Sequence, residues 1–578
     1  PSKNNINPFK HNYFLGYVNE VHPQYIKVHF PSSVLLKSFV FECEELNGGL
    51  VGNYVTIEGE NFGFLGKILE ISLPDSERKE LSEKAFQNTE QGFHPIAKVE
   101  LLLSFDIFSP TIGYRGIGRF PSIGSKVYVC SRDYFDQYIQ RFGVKEEEKS
   151  PVLIDLGLTT SNNSNITVSI NSLFNRHCAI VGTTGGGKSW TLASLLSNII
   201  DNNKKAILID ATGEYYRFKD EAKEKVENLD LGISEAYFHY SNLTIDDLFF
   251  LLKPSGRVQA PKLMEAIRSL KMVKINNGNP ISLKYKGKDV ILNVEDGILY
   301  KSGGDKKAYE VFYFNKITEI ENGKCEFDIL KLSSQISQEC IFDTAHGDNS
   351  KFGGRSENDI SNCITLISRV NNILNTPEYS NIFGFNKEHD KSKDIINIIE
   401  AFFESDKNIL RFNFKDVKFD FQAREILANA IGRHLLDISR TYKFKDKPLL
   451  LFVDEAHQFL NKSIKDEYFD AKPLDAFDLI AKECRKYGLF LCLSTQMPRD
   501  IPIGTLSQVG TFIVHRLIND YDKKSIENAC ATANKYILDY MPVLGEGEAI
   551  LLGIDYPMPI TLKIKKPRIE PDSKTPRI

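Results

Sequence analysis

The stretch Gly182-Thr183-Thr184-Gly185-Gly186-Gly187-Lys188-Ser189 has the glycine spacing, the lysine and the hydroxyl of a phosphate-binding loop. Glycines let the backbone turn tightly and aim successive N–H groups at phosphate oxygens, and a helix opening at the loop adds partial positive charge. In that chemistry Lys188 reaches the β- and γ-phosphates of ATP and Ser189 holds Mg²⁺. Trp190 completes the nucleotide-binding set. A ligand-free glycine-rich turn is the plainer alternative. Against it, the apolar run Cys178–Val181 precedes the loop and a Leu-, Ala- and Ser-rich segment follows it, which is the strand and helix the motif requires.

A second group of residues could supply the rest of a hydrolytic site. Pro448-Leu-Leu-Leu-Phe-Val453 reads as a buried strand that ends in Asp454 and Glu455. Asp454 suits the metal's water shell, and Glu455 suits a base that orients or deprotonates the attacking water. The alternative is an acidic strand end that caps Ala456-His457-Gln458. Leu489–Thr495 is a third such strand, and Gln496 after it is either a γ-phosphate sensor ahead of the loop Met497–Pro502 or a simple cap. Asp210, with Gly213-Glu214-Tyr215, closes a further strand. Phosphoryl transfer is also served by an arginine at the γ-phosphate. Arg176, Arg485 and Arg516 are the candidates, and position alone does not choose among them.

These groups need a scaffold. The 578 residues are enough for roughly two to four domains. With 42% hydrophobic and 26% charged residues the composition is that of a folded globular protein, which excludes fibrous and wholly disordered classes. A net charge of −4 gives no global positive field, so any contact with nucleic acid must be local. Nine cysteines without a Cys-x-x-Cys pair read as reduced intracellular thiols, and no zinc spacing is present. No signal core and no apolar run of ~18 residues is found, so a cytoplasmic protein with no membrane span is expected.

Short apolar or alternating runs at Tyr13–Val18, Tyr25–Phe30, Tyr54–Glu58, Phe62–Ile71, Ala97–Phe105 and Ser125–Cys130 predict a small β-barrel or sandwich over 1–145. Ser76–Glu90 reads as polar helix or loop, and Val144–Pro151 as a linker. From Cys178 buried strands alternate with amphipathic helices, as in a parallel α/β sheet. The expected division is a RecA-like P-loop NTPase core in two parts, 146–250 and 423–555, interrupted by an insertion over 251–422. That insertion reads as helical at Leu243–Lys274, Asn358–Leu374 and Ser392–Glu404. Through Ile281–Phe327 it reads as β-hairpins, with turns at Lys286-Gly287 and Asp296-Gly297. A strand at Pro559–Lys565 opens the tail 556–578.

The runs Asn175–Ser189, Asp210–Tyr215, Phe452–His457, Ala481–Gly488 and Ser494–Gln496 together resemble the HerA family, hexameric DNA-translocating ATPases related to the FtsK motors. Leu15–Val21, Val51–Val55 and Pro121–Val127 are similar to that family's N-terminal barrel, also found in rotary ATP synthases. The resemblance implies an ATP-hydrolysing DNA helicase or translocase: a homo-hexamer with double-stranded DNA through its pore and ATP between neighbouring subunits. It aligns Arg485 with the arginine presented across the subunit interface and Arg176 with a second basic residue there. The tail looks like a brace laid on the adjacent subunit. The resemblance also implies a companion effector, a nuclease or, in anti-phage defence, a Sir2-like NADase, with the barrel as the expected docking place. A hexameric scaffold that activates the effector, with regulatory ATP turnover, is the other reading. Pore loops are expected to carry Lys462, Lys465 and Lys472, or Arg217 and Lys219.

Overall fold

The computed structural model describes all residues except 1–6, 42–43, 76, 78–92, 115–118, 145–147, 149, 161–162, 286, 419, 461–472, 531, 534, 555, 557 and 574–578. The segment Ser76–Glu90 therefore lies almost wholly outside the described residues, as do Lys462, Lys465 and Lys472. The chain forms two compact units, one of Pro1–Lys204 with Phe490–Ile578 and one of Lys205–Leu489.

The N-terminal strands are β1 (Phe14–Val21), β2 (Ile26–His29), β3 (Ser38–Phe41), β4 (Glu44–Asn47), β5 (Tyr54–Glu58), β6 (Phe62–Ser72), β7 (Ile96–Asp106), β8 (Ser109–Tyr114) and β9 (Lys126–Val129). Six of them, in the order β2-β1-β9-β5-β6-β7, close into a barrel because β2 also pairs with β7. Alternation drives the closure: Ala97, Val99, Leu101, Leu103 and Phe105 of β7 are buried at every second residue. Ala97, Val99 and Leu101 share the interior with Leu15, Val28, Phe30, Ile57, Ile68 and Val127. Gly16 is needed where β1 meets its neighbour, since a Cβ there would lie 2.2 Å from the His29 carbonyl oxygen. All six runs read from the sequence are barrel strands.

Strands β3, β4 and β8 and the helix Arg132–Gly143 are additions to that reading. Strand β3 has no fully buried residue, and β8 contains Pro110 and Gly113, so neither displays the apolar alternation that marks a strand. The helix is opened by Ser131, whose Oγ accepts from the Tyr134 N–H, and buries Tyr134, Phe135 and Tyr138.

The remaining strands begin with β10 (Leu153–Thr159), β11 (Asn165–Ser169), β12 (Cys178–Val181), β13 (Lys205–Asp210) and β14 (Val226–Asp230). They continue with β15 (Ile281–Tyr285), β16 (Lys288–Glu295), β17 (Ile298–Tyr300), β18 (Ile409–Asn413) and β19 (Leu449–Val453). The last are β20 (Leu489–Thr495), β21 (Thr511–Val514), β22 (Glu548–Gly553) and β23 (Ile560–Ile564). In the first unit the order is β11-β10-β23-β22-β21-β12-β20, with β12 parallel to both β20 and β21 and the strands on the far side antiparallel. In the second unit β19-β13-β18-β14 are parallel throughout. Strands β12, β18 and β19 are buried along their whole length, as two-sided helix cover requires.

Two boundaries read from the sequence are corrected. The insertion taken as 251–422 overreaches, because β18 pairs with both β13 and β14 and belongs to the parallel sheet. Its arginine, Arg411, disguised a buried strand. The hairpin reading of Ile281–Phe327 ends at Tyr300: β15, β16 and β17 form a three-stranded meander, with Asp296 and Gly297 at φ 50° and 75° in its turn, and helices follow. The helix Lys306–Asn315 is rich in Tyr, Val and Phe, which favour strands, yet it sets Ala308, Tyr309, Phe312 and Tyr313 on one face against the meander, in a cluster with Ile281 of β15 and Leu292 of β16. Beyond β23, residues 565–573 lie along their own unit. Pro567, Ile569 and Pro571 are buried, and Arg568 pairs with Asp201 at 2.9 Å.

Candidate nucleotide site

The phosphate loop is built from a buried strand and the two strands beside it. Val181 is level with Thr495 of β20 and Val514 of β21, so the segments that follow all three strands emerge together. The Gly182 N–H donates to the Thr495 carbonyl at 3.3 Å and the Thr183 N–H to the Arg516 carbonyl at 2.9 Å, which tethers the first half of the loop. Gly185 and Gly187 have φ of 74° and 110°, the left-handed region in which a side chain is strained. Gly187 is the N-cap of the helix Lys188–Asp201, so the helix N-terminus opens directly on the loop.

Within this frame Lys188 is 7% exposed and its Nζ donates to the Thr183 carbonyl at 3.2 Å, curled over the loop it would share with a phosphate. Ser189 and Trp190 are half-buried on the first helical turn, and the Lys566 ammonium of the tail lies 5.9 Å above the indole. Gln496 does meet the loop: the Thr184 hydroxyl donates to Gln496 Oε1 at 2.7 Å. That contact ties the loop to the segment Met497–Pro502. Arg176 is half-buried in the turn before β12, packed against Gly510, and its carbonyl accepts from the Gly510 N–H at 2.6 Å. Arg516 is exposed just after β21.

The sequence reading missed His515. Its ring is fully buried under the loop, with Nε2 2.8 Å from Thr191 Oγ1 and Nδ1 2.8 Å from the Glu548 carbonyl. Burial, more than any neighbour, pushes its pKa down to about 4, and burial also pushes His239 in the other unit down to about 4, aided by the stacked His389 at 4.3 Å. Both lie below the ordinary value of 6.5. The unfolded chain therefore binds protons that the folded one refuses, and this stability is whole above pH 6.5 and lost as pH falls towards 4. The expected result is a midpoint of thermal unfolding that drops steadily over that range, with a limiting slope of about 1.4 kcal/mol per pH unit from His515 alone. A flat profile between pH 6.5 and 5, or one unchanged in His515→Gln, contradicts it.

The acidic residues are set by the second unit. Ile209 is level with Val453, and the Asp454 N–H donates to the Ile209 carbonyl at 3.0 Å, so Asp210 and Asp454 terminate neighbouring strands. Asp454 is 4% exposed. Glu455 has φ 44°, a conformation that costs a side-chain-bearing residue of order 1–3 kcal/mol, and its Oε2 lies 3.3 Å from His457 Nδ1. Arg485 is exposed on the short turn Cys484–Tyr487. Of the pore-loop candidates described, Lys219 is paired with Asp230 at 3.3 Å and Arg217 is half-buried.

Asp210 has a structural task that its motif did not disclose. Its Oδ1 accepts from the Gly213 N–H at 2.8 Å and its Oδ2 from the Tyr215 N–H at 3.2 Å. Arg411 donates to the same Oδ2 through Nε at 2.8 Å and Nη2 at 2.6 Å. The loop Ala211–Tyr215 is thus folded around a buried carboxylate whose charge Arg411 neutralises.

A parallel α/β sheet with a glycine loop, a buried lysine and a helix opening on them is the arrangement of a RecA-like P-loop NTPase, here joined to a closed β-barrel. Residues 154–435 match the family model described as the central domain of the helicase HerA. The chain is 26% identical over 425 residues to a probable DNA double-strand break repair helicase HerA of Methanocaldococcus jannaschii, covering 71% of this chain and 75% of that one. It is 22% identical over 526 residues to the DNA double-strand break repair helicase HerA of Saccharolobus solfataricus, covering 89% and 87%. Among solved structures, VirB4 of Thermoanaerobacter pseudethanolicus aligns with TM-score 0.40 at 15% identity, over 72% of this chain and 97% of that one. Over these spans the chain is similar to HerA-family, helicase-like ATPases. Among the described residues no helix is long and apolar enough to cross a membrane.

Proposed function

We propose that the protein is a ring motor, a homo-hexamer that hydrolyses ATP to translocate on or unwind double-stranded DNA in the cytoplasm and that works with a companion effector. The observation that carries this reading is the phosphate loop. Lys188 is buried at the mouth of a helix, and Thr184 is bonded to Gln496, so the phosphate loop and the segment after β20 share one contact. The relatives above, named as DNA double-strand break repair helicases, support DNA as the track.

In this reading Lys188 and the loop N–H groups hold the phosphates, and Glu455 orients the attacking water and takes its proton. A hydroxyl and a carboxylate are the hard oxygen donors that Mg²⁺ accepts, so Ser189 and Asp454 fit the metal's ligand set. Bound Mg²⁺ neutralises charge on the phosphates. Arg485, exposed on its turn, is the arginine offered to a neighbour's ATP, with Arg176 as the second basic residue. In this reading the effector, a nuclease or a Sir2-like NADase as in anti-phage defence, docks on the barrel, where among the described residues β8 pairs with β7 alone and Val40, Phe108 and Ile123 are exposed.

The expected result is a hexamer by native mass spectrometry and ATP turnover that rises at least about tenfold with duplex DNA, an effect near 1.4 kcal/mol. A hexamer whose turnover ignores DNA favours a scaffold that gathers and activates the effector. A chain that neither assembles nor responds to DNA overturns the motor.

A further inference from the structure

The glycines of the phosphate loop are explained only in part by the need to approach phosphate. A Cβ on Gly182 would lie 2.5 Å from His515 Cβ, and one on Gly187 would lie 3.1 Å from His515 Cε1. One on Gly186 would meet His515 Cβ at 3.4 Å. Three of the loop's glycines are therefore pressed on a single buried side chain on the face away from the ligand. That side chain follows β21 directly, and its own N–H donates to the Val181 carbonyl at 2.7 Å, so it is fixed to the strand that launches the loop.

The ring is fixed at both edges. Glu548 can offer Nδ1 only its backbone carbonyl, an acceptor, so Nδ1 carries the proton and donates to it. Nε2 is then the acceptor and takes the Thr191 hydroxyl, one turn into the helix that the loop opens. The imidazole thereby joins three pieces: the end of β21, the first residue of β22 and the helix Lys188–Asp201. A hydrocarbon of the same volume would fill the space without fixing the orientation. A charged ring would add a second cation beside Lys188 in a site without water.

We infer that His515 is the positioning residue of the phosphate loop, a neutral imidazole wedge that holds Gly182, Gly186 and Gly187 in their phosphate-binding conformation through bonds to Thr191 and the Glu548 carbonyl. The inference rests on the reading of the loop as the ATP site. His515 touches no phosphate. It acts by keeping the loop N–H groups convergent before the nucleotide arrives, which is a saving in binding free energy more than in the chemical step.

The test measures the affinity of a fluorescent ADP analogue, the KM for ATP and kcat on the full chain with Mg²⁺ and duplex DNA. His515→Leu is expected to weaken analogue binding and raise KM about tenfold or more, near 1.4 kcal/mol, with the smaller loss in kcat. His515→Asn keeps an amide that can donate to the Glu548 carbonyl, so it should recover a large part of that loss. Thr191→Val removes the bond to Nε2 together with the hydroxyl's contact with the Gly187 carbonyl at 3.2 Å, and should raise KM by about threefold, near 0.7 kcal/mol. Should His515→Leu fail to fold, the Asn and Val variants decide alone. Unchanged affinity in Thr191→Val together with unchanged affinity in His515→Asn or His515→Leu overturns the inference, as does His515→Asn binding no better than Leu. Lys188→Ala is the control for the underlying reading. If the wild-type chain does not bind the analogue, or binds it equally well without Lys188, the ATP site itself is misplaced; if only the His515 variants are silent, the positioning role is.

Discussion

Glu455→Gln should bind ATP as the wild type does and lose turnover by about 10²–10⁴-fold, the range a positioned general base contributes. The amide keeps the shape of the side chain and one acceptor oxygen but cannot take a proton from water. Two features single out this carboxylate. Asp454 beside it is buried and continues the strand through its N–H bond to Ile209, whereas Glu455 turns off at φ 44° beside His457. A backbone held in a costly conformation one residue after a strand end is the kind of strain that functional sites retain. The measurement is steady-state phosphate release with duplex DNA beside the affinity of a fluorescent ADP analogue. Loss of both would assign Glu455 to binding. Turnover within tenfold of wild type would remove it from the chemistry and leave Asp454 as the carboxylate to vary.

The residues legible in the sequence were those whose chemistry is written in local spacing. The loop Gly182–Ser189 needs fixed offsets, and alternation along Ala97–Phe105 needs only one strand to be seen, so both stand in the structure as the sequence implied. What escaped depends on partners far along the chain. His515 is one histidine after an ordinary strand until Thr191, 324 residues earlier, and the Glu548 carbonyl are brought to its two edges. Arg411 broke an apolar run and so hid β18, because no local pattern announces that Asp210, 201 residues away, will neutralise it. The helix Lys306–Asn315 was lost for the opposite reason. Its residues carry strand preference, and only packing against the meander β15–β16 selects the helical face. Where tertiary pairing overrides local preference, a single sequence gives no warning of it.

Arg411 is also where the second large effect is expected. Arg411 and Asp210 are 1% and 0% exposed, so no water screens the pair or replaces a missing partner. Replacing the arginine by a hydrocarbon of similar length, Arg411→Met, leaves a carboxylate buried without its cation and should cost about 3–5 kcal/mol of stability. The loss should not stop at the global fold. Asp210 holds the Gly213 and Tyr215 N–H groups, so a carboxylate that moves to escape its burial loosens the loop Ala211–Tyr215. Asp210→Asn added to Arg411→Met removes the stranded charge while leaving one amide oxygen for the loop. The double variant should therefore be more stable than Arg411→Met alone, since most of the single-variant cost is the unpaired charge rather than the lost attraction. Urea unfolding of the three variants beside the wild type measures this, with the midpoint and slope read together. A double variant no more stable than Arg411→Met would mean that the carboxylate already finds another donor, and that Arg411 is held in β18 by its packing and its bond to Asn228 instead of by Asp210.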